Sequence, residues 1–348
     1  MPRELVFLPG AGTFALREFD PAPLGPGDAR VRLDLAAPKH GTEAHGWSAN
    51  VNRGRRWDPQ LRLFLDASGE QPSRPDYVHV GNMAVGTVEE VGPAVESPRP
   101  GDRVYGYLPV REIHQVAASR LRPLPHGLAP ESAVCVDPAH VAFVAVRDGQ
   151  VRLGDDVAVF GLGAIGLLTV QAALASGARR VVAVDPLASR RERAVAMGAV
   201  AAFDPVAGDV AVAIKEATDR QGVDVALETS GADRAVHEAI RCIRQCGVVV
   251  GVGWGSGTGV GLYLGEEFHV NRPTLIASQA STYWGNPDRD HPLWDEQRAQ
   301  SVCAELFRRG SLTHQGILDP IVTLEQAPET MRAIREDPAR VLKIGIRL

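Results

Sequence analysis

The chain has 348 residues, of which 45% are hydrophobic and 23% are charged, and its formal net charge is −5 at pH 7. This length exceeds what one hydrophobic core usually organises, so two domains are expected. The composition is typical of a soluble protein, and the first residues, MPRELVFLPG, lack the apolar stretch and cleavage site of a secretory signal, so a cytoplasmic location is expected. The composition excludes a transmembrane helix and a nucleic-acid-binding surface, and the four scattered cysteines exclude a disulfide framework.

The first third of the sequence is rich in short β-like runs. Apolar and polar residues alternate at Ala29–Ala36, and similar runs follow at Ala84–Val91 and Asp102–Tyr107. This alternation predicts a β-rich N-terminal region. The stretch Ala49–Tyr77 is polar and rich in Arg, Asp, Ser and Pro, and we predict a long loop that forms the lid or rim of an active site.

From Gly154 onward, apolar strands alternate with helical stretches. The strand Val157–Phe160 precedes a helix, and a second strand that ends at Asp185 precedes another. This βαβ rhythm continues to about Gly253 and predicts a parallel sheet with helices on both faces. The last segment is predicted to contain two amphipathic helices and a final strand, at Leu293–Arg309, Glu325–Arg335 and Val341–Ile346.

The loop Gly161-Leu-Gly163-Ala-Ile-Gly166 follows the first of these strands and opens a helix. Gly161 permits the tight turn, Gly163 lets backbone N–H groups approach a pyrophosphate, and Gly166 lets the helix pack close to the strand. The loop therefore predicts a dinucleotide site. The predicted cofactor contacts are Gly161, Leu162, Gly163, Ala164, Ile165, Gly166, Asp185, Arg190, Thr229 and Val252.

Asp185 decides the predicted cofactor. A carboxylate at the end of the second strand can bind both adenosine ribose hydroxyls of NAD and would repel the 2′-phosphate of NADP. Arg190 and Arg191 would favour NADP, since an arginine beyond the strand can bind that phosphate. We predict NAD, with NADP less favoured.

The whole pattern resembles the medium-chain dehydrogenase/reductase superfamily, the group of alcohol and sorbitol dehydrogenases. The resemblance rests on the cofactor domain, on Gly86–Tyr107 (GTVEEVGPAVESPRPGDRVYGY), on Asp137–Val146 (DPAHVAFVAV), and on the closing helix and strand. It implies an α/β fold in which a Rossmann domain with a doubly wound parallel sheet, residues 138–284, interrupts a β-rich, partly barrel-like (GroES-like) catalytic domain, residues 1–137 and 285–348. It also implies an active site where the domains meet, and a homodimer or homotetramer.

The residues that bind zinc in this superfamily are largely replaced. Zinc members have a cysteine where this chain has His40, a His-Glu pair where it has Asn82-Met83, and an acid or cysteine near Asp137. Zinc needs three or four Cys, His or carboxylate ligands, and only His40 and Asp137 remain as candidates. We predict no zinc and no other catalytic metal.

Without a metal, the resemblance implies a proton relay through His40, Thr42 and His45. In zinc alcohol dehydrogenases a hydroxyl at the position that matches Thr42 passes the substrate proton, through the nicotinamide ribose, to a histidine that matches His45. A threonine hydroxyl is too weakly acidic to be the terminal base, so His45 is the predicted acceptor, and His40 is predicted to bind the substrate hydroxyl. The alternative is that all three have structural roles.

Predicted substrate contacts combine charged groups with aromatic rings, a mixture that suits polyols or phosphorylated sugars. They are Arg56, Trp57, Asp137, His140 and Trp284. The leading hypothesis is NAD-dependent oxidation of a secondary alcohol to a ketone on a sugar- or cyclitol-like molecule. Two alternatives stay open: reduction of an activated double bond, as in zinc-free enoyl and quinone reductases, and transient oxidation by retained NAD in a net-nonredox reaction.

Overall fold

The computed structural model describes residues 1–39, 55–67, 75–253, 259, 261–280, 287–337 and 341–348. The chain divides into two compact units, residues 1–137 with 314–348, and residues 138–313. No helix in these described segments has the length and apolar character needed to span a bilayer. The predicted site residues His40, Thr42, His45 and Trp284 lie outside the described residues.

The first unit is built mainly from strands. They are β1 (Arg3–Leu8), β2 (Thr13–Glu18), β3 (Asp28–Ala37), β4 (Arg55–Asp58), β5 (Leu63–Asp66), β6 (Val78–His79), β7 (Met83–Val91), β8 (Arg103–Tyr107), β9 (Ile113–Ala117) and β10 (Arg122–Pro123), followed late in the chain by β17 (Leu318–Thr323) and β18 (Lys343–Arg347). The order β2-β1-β6 makes one sheet, and the order β10-β8-β7-β3-β18-β17, with β9 paired to β3, makes a larger one. The helices α1 (Pro130–Ala133) and α9 (Ala327–Glu336) belong to this unit.

Strand β3 pairs with β7, β18 and β9 in the larger sheet, and the first half of its sequence alternates between buried and more exposed residues. Ala29, Val31 and Leu33 are buried, whereas Arg30 and Arg32 lie on the opposite face. The two arginines form ion pairs across to β7, with Glu90 and Glu89 respectively. Alternation therefore turns one face of the strand to the core and leaves the other to solvent.

The second unit is an α/β sandwich. Its strands are β11 (Asp156–Phe160), β12 (Arg180–Val184), β13 (Ala201–Phe203), β14 (Val223–Glu228), β15 (Ile243–Gly251) and β16 (Thr274–Ala277), all paired in parallel in the order β13-β12-β11-β14-β15-β16. Its helices are α3 (Ala164–Ala175), α4 (Ala188–Ala196), α5 (Val210–Ala217), α6 (Asp233–Cys242), α7 (Glu267–Asn271) and α8 (Glu296–Arg308). The helix α2 (Val136–Asp148) contains the boundary between the units.

This strand order is that of a dinucleotide-binding fold, in which the order reverses between β11 and β14. All five residues of β11 are buried, as a central parallel strand covered by helices requires. The core on one face includes Phe160, Val182, Ile214 and Ile240. The predicted fold class, a Rossmann sheet beside a β-rich domain, is confirmed.

The second unit extends further along the chain than the boundary predicted after residue 284. Helix α8 buries Ala299, Cys303 and Phe307 within it. The backbone N–H of Thr313 donates to Gln171 Oε1 at 2.7 Å, and Gln171 Nε2 donates back to Thr313 O at 3.3 Å. The amphipathic pattern of α8 does not by itself tell to which domain the helix belongs. In the structure α8 belongs to the second unit, which ends at residue 313.

The polar stretch predicted as one long loop contains a hairpin. Strands β4 and β5 pair antiparallel, with Trp57 opposite Phe64. The turn forms because Asp58 Oδ1 accepts hydrogen bonds from the backbone N–H groups of Gln60 and Leu61, at 2.9 and 2.8 Å. Such aspartate turns reverse a chain without glycine, which is why the pattern of the sequence gave no hairpin signal.

Candidate active site

Two glycines of the cofactor loop are required sterically, and the third faces open space. Gly161 has a φ of +83°, and a Cβ there would lie 2.7 Å from the Ser230 side chain. A Cβ on Gly166 would lie 1.8 Å from the carbonyl oxygen of Gly161, so helix α3 can begin only with glycine at that position. A Cβ on Gly163 would meet no atom within 4 Å. The loop therefore leaves open space at Gly163, where a diphosphate can approach the backbone.

Neighbouring strand ends hold this loop in place. The Thr229 hydroxyl, just after β14, donates to the carbonyl oxygen of Gly161 at 2.7 Å. The N–H of Val252, just after β15, donates to Glu228 O at 2.8 Å. Thr229 and Val252 thus lie just after the carboxyl ends of β14 and β15, and their contact with a cofactor stays a prediction.

Asp185 follows β12 and joins the loop to the next helix. Its Oδ2 accepts from the N–H of Leu162 at 2.8 Å, and its Oδ1 accepts from the N–H of Leu187 at 2.9 Å. Arg190 Nη1 lies 3.7 Å from the same carboxylate. Arg191 donates to the carbonyl oxygen of Asp185 and forms an ion pair with Asp204 at 3.2 Å. Both arginines considered for a 2′-phosphate therefore already have acidic partners.

Glu228 is a buried carboxylate at this edge of the sheet that the sequence reasoning missed. It ends β14, is 1% exposed, and accepts hydrogen bonds from the N–H groups of Ser230 and Gly231, at 2.6 and 3.0 Å. Burial raises its pKa above the usual value, although the hydrogen bonds from Ser230 and the turn act in the other direction. Its signal in the sequence was an acid at the end of an apolar strand, GVDVALE.

A second constellation lies in the strand-rich unit around Asp137, and we name it the Asp137 cluster: Lys39, Asn82, Tyr107, Asp137 and Lys343. Lys39 Nζ lies 3.0 Å from Asp137 Oδ2, and Asn82 Nδ2 donates to the same oxygen at 2.7 Å. The Tyr107 hydroxyl donates to Oδ1 at 3.1 Å. Lys343, 2% exposed, donates to the carbonyl oxygen of Pro38 at 3.1 Å.

The negative charge of Asp137 is compensated by the ammonium groups of Lys39 and Lys343. Asp137 is 5% exposed. Burial acts to raise its pKa, but Lys39, Lys343 and the hydrogen bond from Asn82 outweigh burial, and the pKa lies below its usual value. The carboxylate is therefore ionised at neutral pH, and it orients the ammonium group of Lys39.

Strand register explains why residues so far apart in sequence meet here. In the antiparallel pairs of the larger sheet, Ala37 is opposite Met83, and Met83 is opposite Tyr107. Lys39 follows the end of β3 and Asn82 precedes β7, so Lys39, Asn82 and Tyr107 reach the same edge of the sheet. Three strand ends thus present donors to one carboxylate on α2.

The predicted substrate contacts are spread over several elements. Arg56 and Trp57 lie on the β4–β5 hairpin, where the Trp57 ring packs on Phe64 with centroids 5.1 Å apart. His140 lies on α2, one helical turn after Asp137, and is 2% exposed. Of the predicted substrate contacts, Asp137 alone belongs to the Asp137 cluster.

Trp294, which precedes helix α8 in the second unit, lies between two cations. The guanidinium carbons of Arg147 and Arg298 lie 3.9 and 4.1 Å from its ring centroids. Arg147 also forms an ion pair with Asp290. These contacts give Trp294 a structural role, since cation–π stacking already covers the ring.

Comparison with known proteins gives consistent matches. The family model of zinc-binding dehydrogenases matches residues 164–288. A D-guloside 3-dehydrogenase from Escherichia coli (strain K12) is 34% identical over 339 residues, 95% of this chain and 96% of that protein. An L-threonine 3-dehydrogenase from Pyrococcus horikoshii is 29% identical and covers 93% of each chain. The crystal structure of 2R,3R-butanediol dehydrogenase from Bacillus subtilis has a TM-score of 0.77 at 22% identity, over 100% of both chains.

The chain belongs to the medium-chain dehydrogenase/reductase superfamily. The predicted resemblance to the medium-chain dehydrogenase/reductase superfamily is thereby confirmed. The protein is an alcohol or polyol dehydrogenase, and it requires a nicotinamide cofactor. The residues of the glycine loop and Asp185 fit such a dinucleotide, because the loop leaves open space at Gly163 and places a carboxylate beside Leu162.

The described residues of this dehydrogenase do not fit the zinc ion of its family. The resemblance implies a ligand position at Asn82, and the Asn82 amide donates a hydrogen bond to Asp137. Asp137 is near another, and its Oδ2 lies 3.0 Å from the ammonium of Lys39, a cation that would repel Zn²⁺. Within the described segments, no three His, Cys, Asp or Glu side chains converge on one point.

Proposed function

We propose that this dehydrogenase oxidises a secondary hydroxyl of a sugar-like molecule, a glycoside or related polyol, to a ketone, with NAD as hydride acceptor and without zinc. The observation that carries the substrate class is the similarity to a D-guloside 3-dehydrogenase across 95% of the chain. The donor chemistry at Asp137, where an ammonium replaces metal ligands, supports the zinc-free part of the proposal.

The environment of Asp185 supports NAD over NADP. Each of its oxygens accepts one backbone hydrogen bond, so each keeps a second lone pair for a ribose hydroxyl. A 2′-phosphate would meet this buried negative charge instead. Arg190 and Arg191, the cations nearest to it, already contact Asp185 and Asp204.

The bound nicotinamide would accept the hydride that leaves the substrate carbon. This chain must then take up the hydroxyl proton, and we assign it to the relay from Thr42 to His45, with His40 beside the substrate hydroxyl. Histidine, with an unperturbed pKa of about 6.5, is the side chain suited to accepting this proton at neutral pH.

We also propose a homodimer or homotetramer. Among the described strands, β16 ends the parallel sheet, and its Leu275 is 48% exposed. An edge strand with an exposed apolar side chain is a suitable surface for pairing with a second copy.

The test is turnover by the purified protein on a panel of secondary alcohols. NADH formation at 340 nm is followed with methyl D-gulosides and D-glucosides, sorbitol, L-threonine and 2,3-butanediol, each with NAD and with NADP. We expect the highest kcat/KM for a glycoside with NAD, and a keto-glycoside as product. Oxidation of none of these, together with NADPH-dependent reduction of enones or quinones, would contradict the proposal and favour the double-bond reductase.

A further inference from the structure

The Asp137 cluster holds a positive charge near the positions where zinc dehydrogenases have metal ligands. Zinc in an alcohol dehydrogenase acts as a Lewis acid that stabilises negative charge on the substrate oxygen. A residue that replaces it must place a cation within reach of that oxygen. In the strand-rich unit, Lys39 and Lys343 are the two ammonium groups that act on Asp137.

We propose that Lys39 is a catalytic residue that replaces the zinc ion: its ammonium group, held on the carboxylate of Asp137, donates a hydrogen bond to the oxygen of the substrate carbon being oxidised. This inference rests on the proposed function, since it assigns a residue to the same reaction.

Exposure separates Lys39 from the rest of the cluster. The Lys39 side chain is 25% exposed, whereas the Asp137 side chain is 8% exposed and Lys343 is 2% exposed. Asp137 therefore lies behind Lys39, where it anchors the ammonium without reaching solvent itself. An ammonium carries three N–H donors, so one can stay on Asp137 while another turns to a ligand.

The other members fix where that ammonium stands. Asn82 and Tyr107 each donate to Asp137, one to each oxygen, which fixes the plane of the carboxylate. The buried ammonium of Lys343 binds the carbonyl oxygen of Pro38, the residue directly before Lys39. The backbone at Lys39 and the carboxylate that receives its side chain are thus both held by hydrogen bonds.

The composition of the chain makes the choice of lysine informative. Three of its 37 basic residues are lysines, Lys39, Lys215 and Lys343, and the others are arginines. Two of the three therefore act on a single carboxylate. A lysine is a compact point charge with rotatable donors, whereas the planar guanidinium of arginine would bind the carboxylate in a rigid bidentate fork.

The atoms of the proposed step balance. The C–H bond of the alcohol breaks, and its electron pair leaves as hydride to oxidised NAD. The O–H proton passes to the relay base His45, and the carbon–oxygen double bond forms. Lys39 keeps its proton throughout and stabilises the negative charge that develops on oxygen, as the donors of an oxyanion hole do.

The experiment compares Lys39→Met with Lys215→Met, which removes the lysine of the second unit. We expect kcat with the best alcohol to fall by about 10²-fold or more in Lys39→Met, as for loss of one oxyanion donor. The dissociation constant for NAD, measured by fluorescence quenching, should match that of Lys215→Met. The thermal unfolding midpoint should fall in Lys39→Met, because Asp137 loses its ammonium partner, so kcat is corrected for the folded fraction. In Lys39→Ala, added ethylammonium should restore part of the turnover, which a purely structural role would not allow.

A second measurement needs no variant. Native enzyme is treated with an amine-reactive reagent, and labelled peptides are quantified by mass spectrometry while activity is followed. We expect inactivation to proceed at the rate at which Lys39 is labelled, and the alcohol substrate with NADH to slow both. Full activity in enzyme labelled at Lys39 would overturn the inference.

Three further outcomes are decisive. Wild-type turnover in Lys39→Met would overturn the inference and leave the proposed function standing. Stoichiometric zinc in the purified protein, lost together with activity on chelation, would also overturn it. Failure of the wild type to oxidise any secondary alcohol in the panel would overturn the proposed function, and the role of Lys39 with it.

Discussion

Two buried carboxylates in the strand-rich unit are compensated by different cations. Glu4, on β1, is 0% exposed and receives the forked guanidinium groups of Arg17 and Arg111, each with Nε at 2.8 Å. Asp137 receives one ammonium, one amide and one phenol. Arginine keeps its proton in proteins and binds carboxylates in a fixed plane, whereas a lysine ammonium can redirect its donors. The cation therefore distinguishes a structural site at Glu4 from a candidate reaction site at Asp137.

The pKa of the carboxyl group does not separate the two sites. Burial acts to raise the pKa of Glu4, but Arg111 and Arg17 outweigh it and the pKa is lowered, as it is for Asp137. Both acids are thus ionised at neutral pH. The comparison shows that a perturbed acid alone is weak evidence for catalysis, and that the exposure and identity of its partner carry more weight.

The largest expected effect on stability comes from breaking the Glu4 site. Glu4→Gln removes the buried acid that two partly exposed arginines share, so the free energy of unfolding should fall by about 1–3 kcal/mol. The turnover of the folded fraction should stay at the wild-type value. Urea unfolding followed by circular dichroism gives the first quantity, and kcat corrected for folded fraction gives the second.

Glu90→Gln is the matched control for this prediction. Glu90 pairs with Arg30 on the open face of β3 and β7, where the two side chains are 55% and 27% exposed. An exposed pair contributes little, so this change should cost less than about 1 kcal/mol. Normal stability with lost turnover in Glu4→Gln would reverse the comparison and place chemistry at Glu4.

The contribution of Glu4 to the free energy of unfolding should decrease as the pH falls. Because the folded pKa of Glu4 is lowered, its stabilisation is present above the unfolded carboxyl pKa of about 4.3 and is lost as the pH falls through the folded value. His79, 3.3 Å from Glu4, has a pKa lowered by burial and acts in the same direction. The difference in unfolding free energy between wild type and Glu4→Gln should therefore shrink between pH 7 and about pH 3. A difference that is constant with pH would assign the stabilisation to packing instead.

The cofactor side of the molecule could be predicted from sequence because its signals are local. The three glycines of the loop stand at fixed spacing between a strand and a helix, and the structure gives a steric reason for Gly161 and for Gly166 and open space at Gly163. The position of Asp185 could be predicted because the apolar strand before it ends at a charged residue, which the sequence shows directly. The hairpin at Trp57 was missed because an aspartate turn closes it rather than a glycine.

The Asp137 cluster could not be predicted in this way. Lys39, Asn82, Tyr107 and Asp137 come from four separate segments, and only the antiparallel register of β3, β7 and β8 brings the first three to one edge. The spacing of residues in the sequence does not predict which residues of paired strands lie opposite each other. The available signal was compositional, since a chain with three lysines places one directly before His40, at the start of the predicted relay segment.

A third carboxylate sharpens the comparison and carries the smallest expected effect. Asp185 is compensated mainly by backbone N–H groups, from Leu162 and Leu187, rather than by a paired cation. If its negative charge selects NAD, Asp185→Asn should lower the preference for NAD over NADP by about tenfold, which corresponds to about 1.4 kcal/mol. The free energy of unfolding should fall by about 1 kcal/mol, because asparagine has a single acceptor oxygen and the N–H of Leu162 or of Leu187 loses its partner.

The measurement is the ratio of kcat/KM values with the two cofactors, and Asp204→Asn is its control. Asp204 is also an acid near this site, but it pairs with Arg191. Removal of its charge should leave that arginine freer to meet a phosphate and should improve NADP modestly without weakening NAD. An unchanged ratio in Asp185→Asn beside a raised one in Asp204→Asn would mean that the arginines, and not the acid at the strand end, set the cofactor preference.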